Sequence, residues 1–283
     1  MATTDAPQLV PIEVRRYGSS GPDLVALHGG PGAPGSVAAL ALELSTQFSV
    51  QEPLQRRAGT VPLTVAQHVA DLAAVAPARA ILVGWSWGAM LGLSYAARHP
   101  ERVSRLVLIG CGTYDEACRE LLLRTRAERL GDAGRVRQQE LEQRLRSEQD
   151  PSQHDLALAE LGQLCSALDS HDLLDEGELT PVVEPPPARL PADSSGGAET
   201  WRDVLRLQRE GIEPESFASI RAPVLMLHGD CDPHPGPCTR DRLRQQVPQL
   251  EYVELKQCGH HPWRERHARA PFLQVLRAWC AEG

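Results

Sequence analysis

Short apolar runs recur along the chain at 23–27, 80–83, 105–109, 222–228 and 250–255, and each stops at a turn-forming cluster. Runs of this length bounded by glycine, proline or aspartate predict buried strands. Residues 10–17 alternate well enough for an edge strand, and 48–50 predict a further short one. Between them lie stretches of helical period. Residues 64–75 open on Thr64, a helix-start residue, and place Val65, Val69, Leu72 and Val75 on one face. Residues 89–98 and 240–246 predict further helices, and 269–280 set Phe272, Leu273, Val275, Leu276 and Trp279 toward a sheet. Strand alternating with helix predicts the α/β class: a mostly parallel, doubly wound sheet with helices on both faces.

The pattern changes after Gly112. Residues 115–150 are rich in Arg, Glu and Leu at helical spacing, a helical pair broken at Gly131-Asp132-Ala133-Gly134, and 152–168 predict another helical piece. From 176 to 199 come Pro181, Pro185, Pro186, Pro187, Pro191 and Ser194-Ser195-Gly196-Gly197, a composition expected to hold no regular element. The expected organisation is a core of residues 1–112 and 201–283, with 113–200 a helical insertion carrying a Pro-rich loop.

A chain of 283 residues buries enough surface to need no staple. Its 29 basic and 37 acidic residues give a net charge of -8, which argues against nucleic acid or an anionic membrane as partner. Seven cysteines without a close CxxC pair fit neither a disulfide framework nor a zinc site, so reduced thiols and no metal are expected. The N-terminal residues carry no basic-then-apolar signal and no run reaches spanning length, which places the protein in the cytoplasm as an expectation.

The candidate chemistry lies at the strand ends. Gly84-Trp85-Ser86-Trp87-Gly88 follows one predicted strand and opens a helix. Glycines two residues either side let strand and helix approach, and hold the serine hydroxyl proud of the sheet edge. His28-Gly29-Gly30-Pro31-Gly32 ends another strand and is a candidate oxyanion loop, since bare glycine backbone can aim N–H groups at a ligand. Asp232 and His260 each follow a later strand. The carboxyl ends of parallel strands converge on one rim, so Ser86, Asp232 and His260 can meet there. His260 would take the serine's proton, and Asp232 would hold the imidazole's tautomer. Trp85, Trp87 and Trp263 are read either as pocket wall or as packing around the elbow, and His234 and the adjacent Arg56 and Arg57 as solvated loop residues.

Taken together, HGGPG, GWSWG, GDCDP and CGHHPW in this order resemble the α/β-hydrolase fold superfamily, over about residues 10–112 and 205–283. HGGPG with a tryptophan after the serine resembles its prolyl iminopeptidase-like branch. The resemblance implies Ser86 as nucleophile, Asp232 as acid and His260 as base, with backbone N–H groups of Gly30 and Trp87 as the oxyanion hole and a helical cap at the insertion. Family spacing favours Asp232 over Asp230 and His260 over His261, and gives His28 a loop-shaping role. The chain departs from that branch where an Asp-x-Arg-Gly pattern is usual, reading Glu52-Pro53-Leu54-Gln55-Arg56-Arg57 instead. Cap carboxylates such as Glu116, Glu120, Glu128, Glu140, Glu142 and Glu160 align with no motif. The expected function is a cofactor-independent serine hydrolase that cleaves an ester or amide of a small molecule through an acyl-enzyme. The alternatives are a prolyl-type aminopeptidase, or a non-hydrolytic or acyl-transfer member of the fold.

Overall fold

Alternate residues of one strand enter different layers: Ala80 and Leu82 join one apolar cluster, Ile81, Val83 and Trp85 the other. That is the signature of a strand covered on both faces. In chain order the elements are β1 (Val14–Tyr17), β2 (Asp23–Leu27), α1 (Ala38–Leu44), β3 (Ser49–Pro53), α2 (Val65–Val75), β4 (Ala80–Trp85), α3 (Trp87–Arg98) and β5 (Val103–Ile109). Then follow α4 (Glu116–Ser147), α5 (Pro151–Asp169), α6 (Ser194–Arg209), β6 (Val224–Gly229), α7 (Gly236–Arg244), β7 (Leu250–Leu255) and α8 (Arg269–Ala281). This computed structural model describes residues 10–282 except 149, 176–177, 179–186 and 188–189.

The seven strands form one sheet in the order β1-β3-β2-β4-β5-β6-β7, with β1 antiparallel to β3 and every other pairing parallel. The clusters divide the helices: α2, α3, α6 and α7 contribute to one face, α1 and α8 to the other. The expected α/β architecture is thus observed. Thr64 caps α2, its side chain accepting from the Gln67 N–H at 3.1 Å. Gly131 breaks α4 with φ 62° and ψ -174°, so the chain runs there as two helical pieces.

Several expectations need correction. Strand β3 extends to Pro53, so Glu52 is fully buried, its carboxylate accepting from the Tyr17 hydroxyl at 2.6 Å. Arg56 is no solvated charge: its Nε and Nη2 donate to the two Asp71 oxygens at 2.8 and 2.6 Å, a bidentate pair with the Asp71 side chain 6% exposed. Arg57 is exposed but donates to the Pro191 carbonyl at 2.7 Å. Nothing periodic marks these contacts, because each joins segments far apart in sequence. Arg56→Ala, which leaves the Asp71 carboxylate only the Gln67 amide at 3.0 Å and no countercharge, is expected to cost about 2 kcal/mol, seen as a lower urea midpoint at unchanged m.

The Ser194-Ser195-Gly196-Gly197 stretch is the first turn of α6, not loop. Asp193 caps it, with Oδ1 accepting from the Gly196 N–H at 3.0 Å and Oδ2 from the Ala58 N–H at 2.6 Å. A Cβ on Gly197 would stand 2.6 Å from the Pro31 carbonyl oxygen. The glycine therefore serves close approach of α6 to the HGGPG loop. Pro181, Pro185 and Pro186 lie outside the described residues. The thiols are not all reduced: Cys118 of α4 and Cys238 of α7 form a disulfide, their Cα atoms 5.9 Å apart across 120 residues of sequence. The pairing arises from tertiary proximity, which no local spacing encodes, and it removes one argument for a reducing compartment. Among the described residues no helix is long and apolar enough to cross a membrane.

Candidate active site

Ser86 sits between β4 and α3 with φ 55° and ψ -119°. Among the described residues only Gln257 shares a positive φ without being glycine. Neighbouring backbone holds the strained turn: the Ser86 N–H donates to the Ile109 carbonyl at 2.8 Å, and the Ser86 carbonyl accepts from the Ala89 N–H at 3.0 Å. A Cβ on Gly88 would lie 2.2 Å from the Leu27 carbonyl oxygen, and one on Gly84 2.3 Å from that of Gly88. Only glycine at both positions lets α3 rise this close to β2 and β4.

Trp87 is the first residue of α3, so its N–H has no intrahelical acceptor and sits at the positive end of the helix dipole. Gly30, with φ 114°, lines the same cavity as Ser86 and Trp87. Behind this loop lies a residue that pattern reading assigned to a polar loop, Gln55. It is buried, accepts from Trp87 Nε1 at 2.7 Å, and donates through its side-chain amide to the His28 carbonyl at 3.1 Å. The Gln55 backbone N–H donates to His28 Nε2 at 3.1 Å, which leaves the ring's proton on Nδ1, donating to the Gly29 carbonyl at 2.9 Å. Burial brings the His28 pKa down to about 4, so the ring is a neutral brace between loop and elbow.

Asp232 follows β6 and His260 follows β7, and their contact is His260 Nδ1 to Asp232 Oδ2 at 2.7 Å. Asp230 instead accepts from the Cys258 N–H at 3.3 Å, while His261 Nδ1 lies 3.5 Å from Ser170 Oγ. Gly110, at the end of β5, makes room for the pair: a Cβ there would stand 2.8 Å from His260 Nδ1. The His260 N–H donates to the Asp169 carbonyl at 2.8 Å, and Trp85 Nε1 donates to the His260 carbonyl at 2.8 Å. His260 is therefore positioned from α5 and from β4 as well as by its acid.

His234 departs from the solvated loop expected of it. It is buried, and both its backbone N–H and its Nδ1 meet Asp232 Oδ1, at 2.9 and 2.8 Å; its ring stacks on His260 with centroids 4.3 Å apart. His228 Nε2 approaches Asp232 Oδ2 at 3.4 Å and binds the His234 carbonyl at 2.9 Å. Burial alone would raise the Asp232 carboxyl; the three imidazoles, His260 first, hold it well below the usual carboxylate range. His260 feels the same competition: burial lowers it, but the Asp232 charge and hydrogen bond prevail and raise it. For His234, burial and then the His260 charge outweigh Asp232, and its pKa falls. An ionised Asp232 accepts only, so His260 Nδ1 carries the proton and Nε2 remains as the basic nitrogen.

Ser86, His260, Gly30 and Trp87 line one cavity of about 650 Å³. Asp232 stands behind His260. Trp85 and Trp87 line the cavity too, whereas Trp263 packs edge-on against Trp85 with centroids 5.3 Å apart. The opposing wall comes from α4, α5 and α6, including Arg119, Leu122, Arg126, Cys165 and Trp201. Asp232, His234 and His260 also lie close enough together to hold a metal ion, but their polar atoms already serve one another.

A strained serine after the central strand of a parallel sheet, with an acid and a histidine after later strands, defines a hydrolase-type α/β fold. The chain belongs to the alpha/beta hydrolase fold family, which residues 65–263 match. Over 93 residues it is 41% identical to the pimeloyl-[acyl-carrier protein] methyl ester esterase of Chromobacterium violaceum, a match spanning 31% of this chain and 37% of that protein. In three dimensions it is similar to a Bacillus megaterium epoxide hydrolase at TM-score 0.62 and 16% identity, covering 96% of this chain and 97% of the other. A thermophilic esterase from Thermogutta terrifontis superposes at TM-score 0.58 and 18% identity, covering 96% and 93%.

Proposed function

We propose that the protein is a serine hydrolase that cleaves an ester of a small molecule through an acyl-enzyme on Ser86. The observation that carries this is the joint placement of a strained Ser86 and an Asp232-held His260 on one cavity. Ser86 Oγ attacks the acyl carbonyl while its proton passes to His260 Nε2. The oxyanion so formed is received by the N–H groups of Trp87 and Gly30, the first aided by the α3 dipole. Collapse expels the alcohol, which takes the proton from His260. Water, deprotonated by the same imidazole, then releases the acid. In this proposal α4 and α5 act as a cap that encloses the acyl group, and no cofactor takes part.

Similarity to a methyl ester esterase supports an ester over an amide. The prolyl iminopeptidase-like alternative asks for a free carboxylate facing the substrate's amino group. Asp169 is the carboxylate among the described residues lining the cavity, and it is engaged by Arg126, whose Nε donates to it at 2.7 Å. A fluorophosphonate probe is expected to label the folded protein at Ser86, read by peptide mass spectrometry, and to leave a Ser86→Ala variant unlabelled. Labelling elsewhere, or none, would overturn the assignment.

A further inference from the structure

Arg119 stands in the first turns of α4, on the wall of the Ser86 cavity. It is held by a neutral partner. One Nη donates to Gln208 Oε1, and the Gln208 amide is itself oriented by donating to the Thr113 carbonyl at 2.9 Å. Arg119 Nε is buried and has no hydrogen-bond partner, and no carboxylate among the described residues pairs with the guanidinium. The other cavity arginine differs: Arg126 is paired with Asp169 through two hydrogen bonds. The charged side chains on this wall therefore sum to one uncompensated positive charge, within a chain whose net charge is -8.

The side chain is only partly buried, and Gln208 holds its guanidinium on the cavity wall with no carboxylate beside it to neutralise the charge. Such a group is matched by an oxygen anion, which the planar guanidinium recognises directionally. Met90, Leu122 and Trp201 supply apolar walls to the same cavity, suited to an aliphatic chain. We infer that Arg119 is an anion-binding subsite that selects esters carrying a carboxylate on an aliphatic chain. This specificity rests on the serine-ester reading above.

The test compares p-nitrophenyl monoesters of succinic, glutaric and adipic acids with neutral p-nitrophenyl alkanoates of matching length, using the full chain. At least one anionic ester is expected to show a kcat/KM about tenfold above its neutral match, the size of one good charged hydrogen bond. Arg119→Gln should bring that ratio to near one while neutral esters change less than about threefold, which also reports that the variant is folded. Arg119→Lys should keep part of the preference. A wild-type protein that hydrolyses neutral esters without preferring any anionic one, or an Arg119→Gln variant that retains the preference, overturns the subsite and leaves the hydrolase reading standing. If no ester is hydrolysed, that reading fails separately, and calorimetric binding of monomethyl glutarate decides the subsite alone. Tighter binding to wild type than to Arg119→Gln upholds it, and equal binding overturns it.

Discussion

Ser86→Ala is expected to lower kcat/KM on p-nitrophenyl esters by about 10⁵-fold or more, with far-UV circular dichroism and the thermal midpoint unchanged. The size follows from the division of labour at the site. In the proposed mechanism no acyl-enzyme forms without Oγ, and what would survive is the modest catalysis that an oxyanion hole and binding supply to attack by water. The fold should tolerate the change, because the strained turn is held by backbone contacts, the Ser86 N–H to Ile109 and the Ser86 carbonyl to Ala89, which alanine keeps. Residues acting as one unit are not additive, so Ser86→Ala combined with Asp232→Asn should be hardly worse than Ser86→Ala alone. A variant retaining a tenth of wild-type turnover would remove Ser86 from the chemistry.

Asp232→Asn is expected to cost about 10⁴-fold in kcat. An asparagine amide can donate to His260 Nδ1, which would move the ring's proton to Nε2 and leave no base facing Ser86. The same variant carries a pH signature. His260 must be neutral to accept a proton, so kcat/KM rises as pH passes upward through its pKa. In the wild-type protein Asp232 prevails over burial and raises that pKa, so the ascending limb should have its midpoint above the ordinary imidazole value of about 6.5. Removing the carboxylate's charge leaves burial as the dominant influence, and the limb should move to lower pH. A rate profile recorded from acid to neutral pH on wild type and variant checks both parts; an unmoved limb would show that Asp232 does not tune the base.

Much of the fold was legible in the chain itself. Runs such as Leu24 to Leu27 and Ile81 to Val83 are apolar without interruption because both sheet faces are covered, and that is visible without coordinates. Thr64 marked the start of α2, and Gly131 the break in α4. The elements that escaped reading are those whose structure depends on a distant partner. Ser194-Ser195-Gly196-Gly197 looks like a breaker until Asp193 caps it and Pro31 packs against it. Gln55 and His234 look like loop polarity until one is found bracing Trp87 and the other sharing Asp232 with His260. Burial of these side chains follows from sheet closure, which brings β2, β4, β6 and β7 to one rim, and no local window contains that information.

The sequence by itself determined the order of strands and helices, and with it that a serine, an acid and a histidine each follow a parallel strand. It could do so because side-chain periodicity and glycine-bounded turns are local properties of the backbone. Only the tertiary structure decided that Cys118 reaches Cys238, that Arg56 is bound by Asp71, and that Arg126 is neutralised while Arg119 is not. Those are pairings between residues 15 to 120 positions apart in sequence. Distance in space, burial and the competition of polar groups for partners select them, and these exist only once the sheet has assembled.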